Sequence, residues 1–459
     1  MKKILLFLFL PLSVVYSQNE DSLFIRKIFN EALSNGQSYE MLQQLCNKYP
    51  SRLCGSPGAE GAVKWSQSKM SELGFNAVRL QVAKVPHWVR GPKEEVSVSY
   101  MIGGTEKTIK MHACALGGSA GTPPEGISGE VVEVKNFEEL KALGKGKVAG
   151  KIVYFSRPMD PRFIQTFRAY GGAVNQRTEG AAKAAPLGAI GVIIRSMTLA
   201  TDTFPHTGAM RYKDGVKQIP EAAISTVDAD LLSEIMKKTK VKAFINMGCH
   251  YLPDVLSHNV ICDMQGSKNP GQVILSGGHL DAWDLGSGAH DDGSGCVQSL
   301  EALRLLKTLG YTPNNTLRCV FFMNEEFGLN GGFAYADSLK KSKEKHLMAI
   351  ESDRGAFLPL GFTFTANEQQ LKKIKAWSKL LKPYGLYVLE KGHGGSDIGP
   401  ISKVDSTAVM AGLLVNSQAY FDYHHAASNV MEAINKRELE LGAASIAALM
   451  YLVDKYGLN

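Results

Sequence analysis

Acidic and histidine side chains recur where apolar, strand-like segments of this 459-residue chain end. The segment QVILSGG runs into His279, TLRCVFFMN runs into a pair of glutamates, and HLMAI runs into ESD. A glycine-rich loop and a late HH pair supply further side chains of the same types. Together the residues are His279, Asp281, Asp291, Asp292, Glu325, Glu326, Asp353, His424 and His425. Each alone is typical of a surface turn or a helix cap, but their repeated position at strand ends indicates one shared site.

Imidazole nitrogens and carboxylate oxygens are ligands that zinc accepts in proteins. Two such cations about 3.5–4 Å apart can act together on one substrate. A carboxylate with its two oxygens can bridge them and screen their repulsion, and a further carboxylate can act as the base for a water molecule. The combined set of side chains therefore predicts a centre for two Zn²⁺ per chain that activates water.

The order of the motifs is specific. Along the chain they read GGHLDAWDLGSGAHDDGSG, MNEEFG, ESDRG, GGSDIGP and YHHAAS, and they resemble the motifs of the co-catalytic di-zinc aminopeptidases, the aminopeptidase Y family. Two further segments, YPSRLCGSPGAEGAVKW and PHTGAMRY, narrow the resemblance to the carboxypeptidase branch of that family. The resemblance implies a zinc-dependent exopeptidase that hydrolyses dipeptides or short peptides with free termini, and it suggests a homodimer.

The resemblance also implies a set of zinc ligands. One zinc would be bound by His279, Asp291 and Asp353. The other would be bound by Asp291, Glu326 and His425, so that Asp291 bridges the two metals.

Neighbouring residues are expected to complete the chemistry. Glu325 would be the general base and acid, which takes a proton from the metal-bridging water and later gives one to the leaving amine. Asp281 would orient the imidazole of His279, as partners of metal-bound histidines do. In the family the peptide bond between Asp291 and Asp292 is typically cis, and we expect the same here.

Some positions are left open by the resemblance. His424 is the alternative to His425 as a zinc ligand. His290 has no implied role, and we interpret it as a packing residue. Asn429 and Val430 stand where the family often has an acid and a threonine, so the support of the last ligand is not defined.

Candidate substrate contacts lie in two loops and in the HH pair. Ser396 and Asp397 belong to the GGSD motif, which in the family lies near the substrate cleft. His206 and Arg211 of PHTGAMRY are expected to be exposed, where they either reach a substrate terminus or only form surface. His424 is the remaining candidate. If the β-rich region that contains PHTGAMRY covers the cleft, the protein would favour short peptides as substrates.

Two other functions compete with an exopeptidase. A non-catalytic binding protein on the same fold would have lost ligands, whereas all five presumed ligands and Glu325 are present. A glutaminyl cyclase-like acyl-transfer enzyme would use one zinc, so the metal count per chain would distinguish it. A serine hydrolase is disfavoured because no GxSxG nucleophile elbow appears: the match GGSAG at residues 117–121 runs into GTPPEG and not into a helix-like segment.

The elements that must position these residues alternate from residue 258 onward between strand-like and helix-like segments. This alternation predicts an α/β fold with a mainly parallel sheet flanked by helices. Residues 106–246 contain short β-rich segments separated by glycine and proline and resemble an inserted protease-associated domain. We therefore predict a catalytic domain of residues 18–105 and 247–459 that is interrupted by this insert.

The N-terminal segment and the composition indicate where the protein works. Residues 1–17 combine two lysines, a short apolar run and Ser17, which predicts a signal peptide cleaved near Ser17 and a secreted, periplasmic or extracellular protein without a membrane span. Of the seven cysteines, Cys46 and Cys54 are the close pair that could form a disulfide. A net charge of +7 without a cluster of lysines and arginines argues against nucleic-acid binding.

Overall fold

The computed structural model describes residues 12–75, 77–342 and 344–458, which form two eight-stranded sheets and flanking helices. The strands are β1 (Arg79–Val89), β2 (Glu94–Ile102), β3 (Thr105–Lys110), β4 (Ala113–Ala115), β5 (Ile127–Val134), β6 (Ile152–Phe155), β7 (Gly191–Arg195), β8 (Glu221–Ile224), β9 (Val241–Met247), β10 (His250–Met264), β11 (Asn269–His279), β12 (Asn315–Phe322), β13 (Lys345–Glu351), β14 (Pro359–Thr365), β15 (Val388–Lys391) and β16 (Val409–Val415). The helices are α1 (Leu12–Asn35), α2 (Ser38–Lys48), α3 (Pro57–Glu72), α4 (Phe137–Val148), α5 (Thr166–Ala173), α6 (Asn175–Ala184), α7 (Thr226–Met236), α8 (Ser294–Thr308), α9 (Asn330–Leu339), α10 (Glu368–Ala376), α11 (Ser378–Leu381), α12 (Tyr420–Tyr423) and α13 (Lys436–Tyr456).

The first sheet has the strand order β1-β10-β12-β11-β13-β16-β14-β15, and its central strands β12, β11, β13 and β16 run parallel. Side chains of β11 alternate between two apolar clusters, with Ile274 in one and its neighbours Val273 and Leu275 in the other. Successive side chains of a strand point to opposite faces, so both faces of this sheet are covered. That explains why the central strands contain unbroken apolar runs, such as VIL in β11 and CVFF in β12.

The prediction of a mainly parallel sheet is confirmed for the four central strands, but the sheet as a whole is mixed. β1 runs antiparallel to β10, β10 to β12, and β14 to β16. The chain leaves this sheet at the end of β1 and returns along β10, so the two strands that flank the second sheet in sequence are antiparallel neighbours. Hydrophobic periodicity reports which face of a strand is buried but not the direction in which the strand runs.

Helices cover both faces of the first sheet, as the alternation predicts. On one face α8 and α13 pack against each other, with α1 and α2 beside them. On the other face α9 contributes Tyr335 and Leu339 to the apolar cluster. α8 is buried along most of its length, so the loop that precedes it is held rigidly against the sheet.

The second sheet has the order β3-β2-β9-β5-β6-β7-β8-β4, with α4 to α7 between its strands in sequence. It includes β2, which pairs with β3 and β9 although it precedes residue 106. The boundary expected at residue 106 therefore falls inside the β2–β3 hairpin. β5, β6, β7 and β8 run parallel and alternate with helices, so this unit is itself α/β rather than only β-rich.

The predicted signal peptide lies largely outside the described residues, and the expected cleavage position falls within α1. Among the described residues no helix is both long and apolar enough to cross a membrane.

All seven cysteines are buried and unpaired, so the possible disulfide between Cys46 and Cys54 is not formed. The sulfur of Cys54 instead accepts a hydrogen bond from Nδ2 of Asn324 at 3.1 Å.

Candidate metal centre

The residues predicted to bind metal meet at the carboxyl edge of the parallel strands in the first sheet. His279 is the last residue of β11, Glu326 follows β12, and Asp353 follows β13. These three strands are neighbours, and open α/β sheets gather functional groups at this edge. Asp291 joins them from the loop before α8, and His425 joins them from the turn after α12.

The carboxylate of Asp291 lies between two histidines. Its Oδ1 is 3.2 Å from Nε2 of His279, and its Oδ2 is 3.4 Å from Nε2 of His425. Nε2 of His279 is also 3.6 Å from Oδ1 of Asp353. Nε2 of His425 is 3.0 Å from Oε2 of Glu326. The five side chains therefore form two groups that share one carboxylate.

These donors fit a metal better than they fit a closed hydrogen-bond network. Oδ2 of Asp291, Oε1 of Glu326 and Oδ1 of Asp353 are buried, and none has a hydrogen-bond partner in the described part of the chain. Buried carboxylate oxygens without partners are energetically costly, and a divalent cation would compensate them. Three overlapping groups of histidine and acidic side chains here have ligand atoms within 4.8 Å of one another, and they include His424 and Asp292 beside the five: Asp291, His424 and His425; His279, Asp292 and Asp353; and His279, Asp291 and Glu326. The mixture of imidazole and carboxylate donors is one that zinc accepts.

Hydrogen bonds determine which nitrogen of His279 faces the site. Its Nδ1–H donates to the backbone carbonyl of Asp281 at 2.8 Å, which leaves Nε2 free toward Asp291 and Asp353. Burial alone would lower the pKa of His279, but these two carboxylates outweigh it and hold the pKa well above its ordinary value. Zinc that binds at Nε2 must therefore displace a proton.

His425 is better placed than His424 to be the second histidine ligand. Nε2 of His424 is 3.9 Å from Oδ2 of Asp291, farther than Nε2 of His425, and the two rings are stacked with centroids 3.5 Å apart. Nδ1–H of His425 donates to the carbonyl of Thr207 at 3.3 Å, so Nε2 carries the free lone pair. Burial, with the neighbouring His424 and Arg177, holds the pKa of His425 well below its ordinary value. The imidazole is therefore in the neutral form that binds metal.

Asp281 contacts His279 in a different way from the one expected. The imidazole bonds to its backbone carbonyl, while its carboxylate Oδ1 is 3.9 Å from Nδ1 of the ring. That carboxylate oxygen instead accepts the backbone N–H groups of Asn324 at 2.6 Å and Glu325 at 3.1 Å. Asp281 thus orients His279 through its main chain and holds the segment that carries Glu325 through its side chain. Burial raises the pKa of Glu325 to about 8, with neighbouring carboxylates adding to the effect.

The loop between the two metal groups is supported on both sides. The peptide bond between Asp291 and Asp292 is cis, as the resemblance implies. The two carboxylate oxygens of Asp292 accept the backbone N–H groups of His279 and Gly295, each at 3.0 Å, so both already have hydrogen-bond donors. Asn429 donates from Nδ2 to the carbonyl of Asp291 at 3.3 Å and accepts the N–H of His290 at 2.7 Å. The residue that replaces the family's acid therefore holds the loop of the bridging carboxylate.

His290 is a packing residue, as the sequence predicts. Its ring is stacked on Phe357 and Tyr423, with centroids 4.4 and 5.0 Å away. Its Nδ1 accepts the N–H of Ala356 at 3.1 Å, so Nε2 carries the proton and faces the carbonyl of Ala433 at 3.3 Å. Both ring nitrogens are thus used within the protein, and burial lowers the pKa of His290 to about 4.

The second sheet's unit contributes contacts to His425 that the sequence did not reveal. Thr207 accepts from the imidazole and donates its N–H to the carbonyl of His425 at 2.9 Å. These bonds hold His425 in a left-handed conformation, with φ of 63°, that non-glycine residues adopt at a cost. Nη1 of Arg177 lies 3.4 Å from Nδ1 of the same ring. Gly208, with φ of 126°, makes this approach possible, because a Cβ there would be 2.5 Å from Nδ1 of His425.

Burial corrects the prediction for His206, while the substrate contact predicted for Asp397 stays a prediction. His206 is 1% exposed, not exposed as expected, and its Nδ1–H donates to the carbonyl of His424 at 2.7 Å. His206 therefore supports the main chain of the His424–His425 pair through this hydrogen bond. Asp397 is also completely buried, and neither of its carboxylate oxygens has a hydrogen-bond partner among the described residues.

Two cavities open beside the metal ligands and contain the remaining candidates. One of about 610 Å³ is lined by Glu325, Glu326 and Arg211, which is exposed as predicted. The other, of about 310 Å³, is lined by Asp353, Ser396 and the glycines before Ser396. The site is thus accessible from two sides to a molecule the size of a short peptide.

Comparisons with known proteins agree with this geometry. Residues 259–450 match the peptidase family M28. The chain is 36% identical to Carboxypeptidase Q of Homo sapiens over 422 residues, which is 92% of this chain and 86% of the relative. It is also 36% identical to Carboxypeptidase Q of Bos taurus over 421 residues, with the same coverage of both proteins.

Solved structures show the same architecture. The crystal structure of a peptidase M28 precursor from Shewanella amazonensis has a TM-score of 0.90 and 30% identity, and the match covers 96% of this chain and 99% of that one. The zinc aminopeptidase BSAP from Bacillus subtilis has a TM-score of 0.63 at 20% identity, with 90% and 94% covered, and shows the shared fold.

Sequence, fold and donor geometry lead to one family. M28 is a zinc-dependent family, and the histidine and acidic clusters of this chain could bind such a metal. The narrower resemblance to the carboxypeptidase branch is confirmed by the identity over nearly the whole chain. The chain belongs to peptidase family M28, as a metallo-exopeptidase of the carboxypeptidase Q-like type.

Proposed function

We propose that the protein hydrolyses dipeptides or short peptides with free termini at a centre for two zinc ions. The observation that carries the proposal is the position of Asp291, whose two carboxylate oxygens face the Nε2 atoms of His279 and His425 at 3.2 and 3.4 Å. His279, Asp291 and Asp353 would hold one zinc. Asp291, Glu326 and His425 would hold the other.

The metal and the protein would divide the chemistry between them. Zinc supplies, when bound, Lewis acidity toward a peptide carbonyl and a lowered pKa of water. Glu325 would accept a proton from the attacking water and deliver one to the nitrogen of the leaving amine. Three features support this role: it precedes a proposed ligand, it lines the larger cavity, and Asp281 holds its backbone N–H.

Metal analysis combined with peptide hydrolysis tests the proposal. We expect about two zinc ions per chain by elemental analysis. Cleavage of a dipeptide panel should be lost on chelation and restored by zinc. Asp291→Ala should lose metal because it removes the shared ligand. One zinc per chain would favour the glutaminyl cyclase-like alternative, and two zinc ions without cleavage of any peptide would refute the substrate class.

Glu325→Gln tests the assignment of the base separately. The variant should keep both zinc ions and lower kcat by about 10²–10⁴-fold, because it removes the proton acceptor but no ligand. Glu432→Gln is the matched control, since Glu432 is exposed and lies outside the site. Near-normal turnover in Glu325→Gln would show that another group is the base.

We also propose that the protein is exported and works as a secreted or periplasmic enzyme. Its N-terminal segment would be cleaved, and the mature chain would form a homodimer. The support is the basic, then apolar, N-terminal segment that ends near Ser17 and the resemblance to the family. Mass spectrometry of the protein purified from its natural compartment should give a mature N-terminus close to Gln18. Light scattering should give twice the mass of one chain, and a monomer at working concentration would refute the dimer.

A further inference from the structure

Arg354 is a cation beside the metal centre that is attracted by Asp353 and Glu351 but is not paired directly with either carboxylate. It directly follows Asp353, and within the described ranges no hydrogen bond or ion pair joins its guanidinium to another residue. Its guanidinium carbon lies 5.3 Å from the ring centroid of Phe167, which comes from α5 of the other unit. Some buried arginines of this chain do bind carboxylates directly, for example Arg90 with Asp284 at 2.6 Å.

The guanidinium lines the 310 Å³ cavity together with Asp353, Ser396 and Phe167. Because Asp353 is a proposed zinc ligand, a molecule in this cavity would lie next to the metal centre. The guanidinium of Arg354 is therefore within reach of a bound substrate and is not in a remote surface region.

The carboxylate of Glu351 in the same cavity attracts Arg354 but forms no ion pair with it. The oxygens of Glu351 accept the backbone N–H groups of Ser396 at 2.7 Å and Ile398 at 3.0 Å. Gly395 allows this, because a Cβ at that position would be 2.2 Å from the carboxylate carbon of Glu351. Glu351 is thus held by the GGSD loop, and the guanidinium of Arg354 keeps N–H groups that no hydrogen bond among the described residues uses.

We propose that Arg354 binds a carboxylate of the peptide substrate in this cavity, an inference that rests on the proposed peptidase function. A planar guanidinium matches a carboxylate with two parallel hydrogen bonds, and contact with an aromatic face keeps its orientation. The carboxylate is either the free C-terminus of a short peptide or an acidic side chain. Arg354 is therefore a specificity-determining residue of this enzyme.

Substrate pairs that differ by one carboxylate test the proposal and distinguish its two sources. Zinc-loaded wild-type protein, Arg354→Gln and Arg354→Lys are assayed with Ala-Ala against Ala-Ala-amide, with Ala-Glu against Ala-Gln, and with Glu-Ala against Gln-Ala. Arg168→Gln is the matched control, because Arg168 is next in the chain to Phe167 but lies over Phe163 instead. Zinc content and circular dichroism confirm that each variant is folded.

Wild type should prefer one charged substrate by about 10–100-fold in kcat/KM, mainly through KM. Arg354→Gln should abolish this preference, Arg354→Lys should keep part of it, and Arg168→Gln should retain it. Loss of the acid-over-amide preference assigns the C-terminal carboxylate, and loss of a Glu-over-Gln preference assigns the side chain. A preference unchanged in Arg354→Gln, or a preference for a neutral substrate, would overturn the proposal.

A binding measurement separates this inference from the peptidase proposal. Calorimetric titration with glutarate and with glutaramide requires no turnover. Glutarate should bind wild type about 10-fold or more tightly than Arg354→Gln, while glutaramide should not distinguish them. If no peptide is cleaved but glutarate still distinguishes the proteins, the proposed substrate class fails and the carboxylate site stands. Equal glutarate affinity in both proteins would refute the site itself.

Discussion

Replacing Arg52 by methionine should destabilise the metal centre although Arg52 contacts none of the proposed ligands. Arg52 is completely buried. It donates to the carbonyls of Leu280 at 2.8 Å, Ser287 at 2.6 Å and Gly288 at 3.0 Å. These carbonyls flank the loop that runs from His279 toward Asp291, so one side chain fixes both ends of that loop.

The magnitude follows from the carbonyls left without partners. Gly288 also accepts the N–H of Gly293, so its carbonyl keeps one hydrogen bond. The carbonyls of Leu280 and Ser287 lose the donors given above, and a buried polar group without a partner costs about 1–3 kcal/mol. The variant should therefore lose about 2–6 kcal/mol of unfolding free energy, a large share of the total stability of a typical protein.

Urea unfolding and zinc titration measure the effect. Because the substitution disturbs supports of the ligands rather than the ligands, zinc affinity should fall by about 10–100-fold. Arg79→Met is the matched control, since Arg79 is 41% exposed and its partner Asp263 keeps a second arginine, Arg318. It should cost less than about 1 kcal/mol. An Arg52→Met protein within about 1 kcal/mol of wild type, with unchanged zinc affinity, would refute this reasoning.

Two further predictions concern Asp281 and His346. Asp281→Ala should lower kcat more than Asp281→Asn does, because asparagine keeps an oxygen that can accept the N–H groups of Asn324 and Glu325. Steady-state kinetics measure both variants, and equal losses of kcat would contradict this role of the side chain. Burial lowers the pKa of His346 to about 4, so its neutral form stabilises the fold above pH 6.5 and this contribution is lost as the pH falls toward 4. The stability difference between wild type and His346→Gln in urea should therefore shrink by about 1.4 kcal/mol per pH unit across that window, and a constant difference would contradict it.

The residues of the candidate metal centre could be predicted because their positions depend on simple rules. His279, Glu326 and Asp353 follow apolar strands, and the carboxyl ends of parallel neighbours meet at one edge. Asp291 is marked by a glycine-rich loop before a helix. These signals are local in sequence, and the structure brings the residues together as expected.

Other features could not be predicted because they depend on tertiary contacts. The sequence around Asp281 does not reveal whether its carbonyl or its carboxylate faces His279. The burial of His206 depends on how the second sheet's unit packs against the turn that carries His424 and His425. No periodic pattern in the sequence indicates that packing. Arg354 was visible in ESDRG, but its place in a cavity beside the candidate metal centre becomes evident only from the three-dimensional arrangement.

The contacts from Thr207 and Arg177 to His425 couple two processes that would otherwise be independent. If zinc binds more tightly when these contacts are made, then by thermodynamic reciprocity bound zinc must favour the docked arrangement of the second unit by the same free energy. Metal loss would loosen the boundary between the units and expose it to proteases, whereas metal loading would protect it. In such an enzyme the supply of zinc would control the lifetime of the protein as well as its rate.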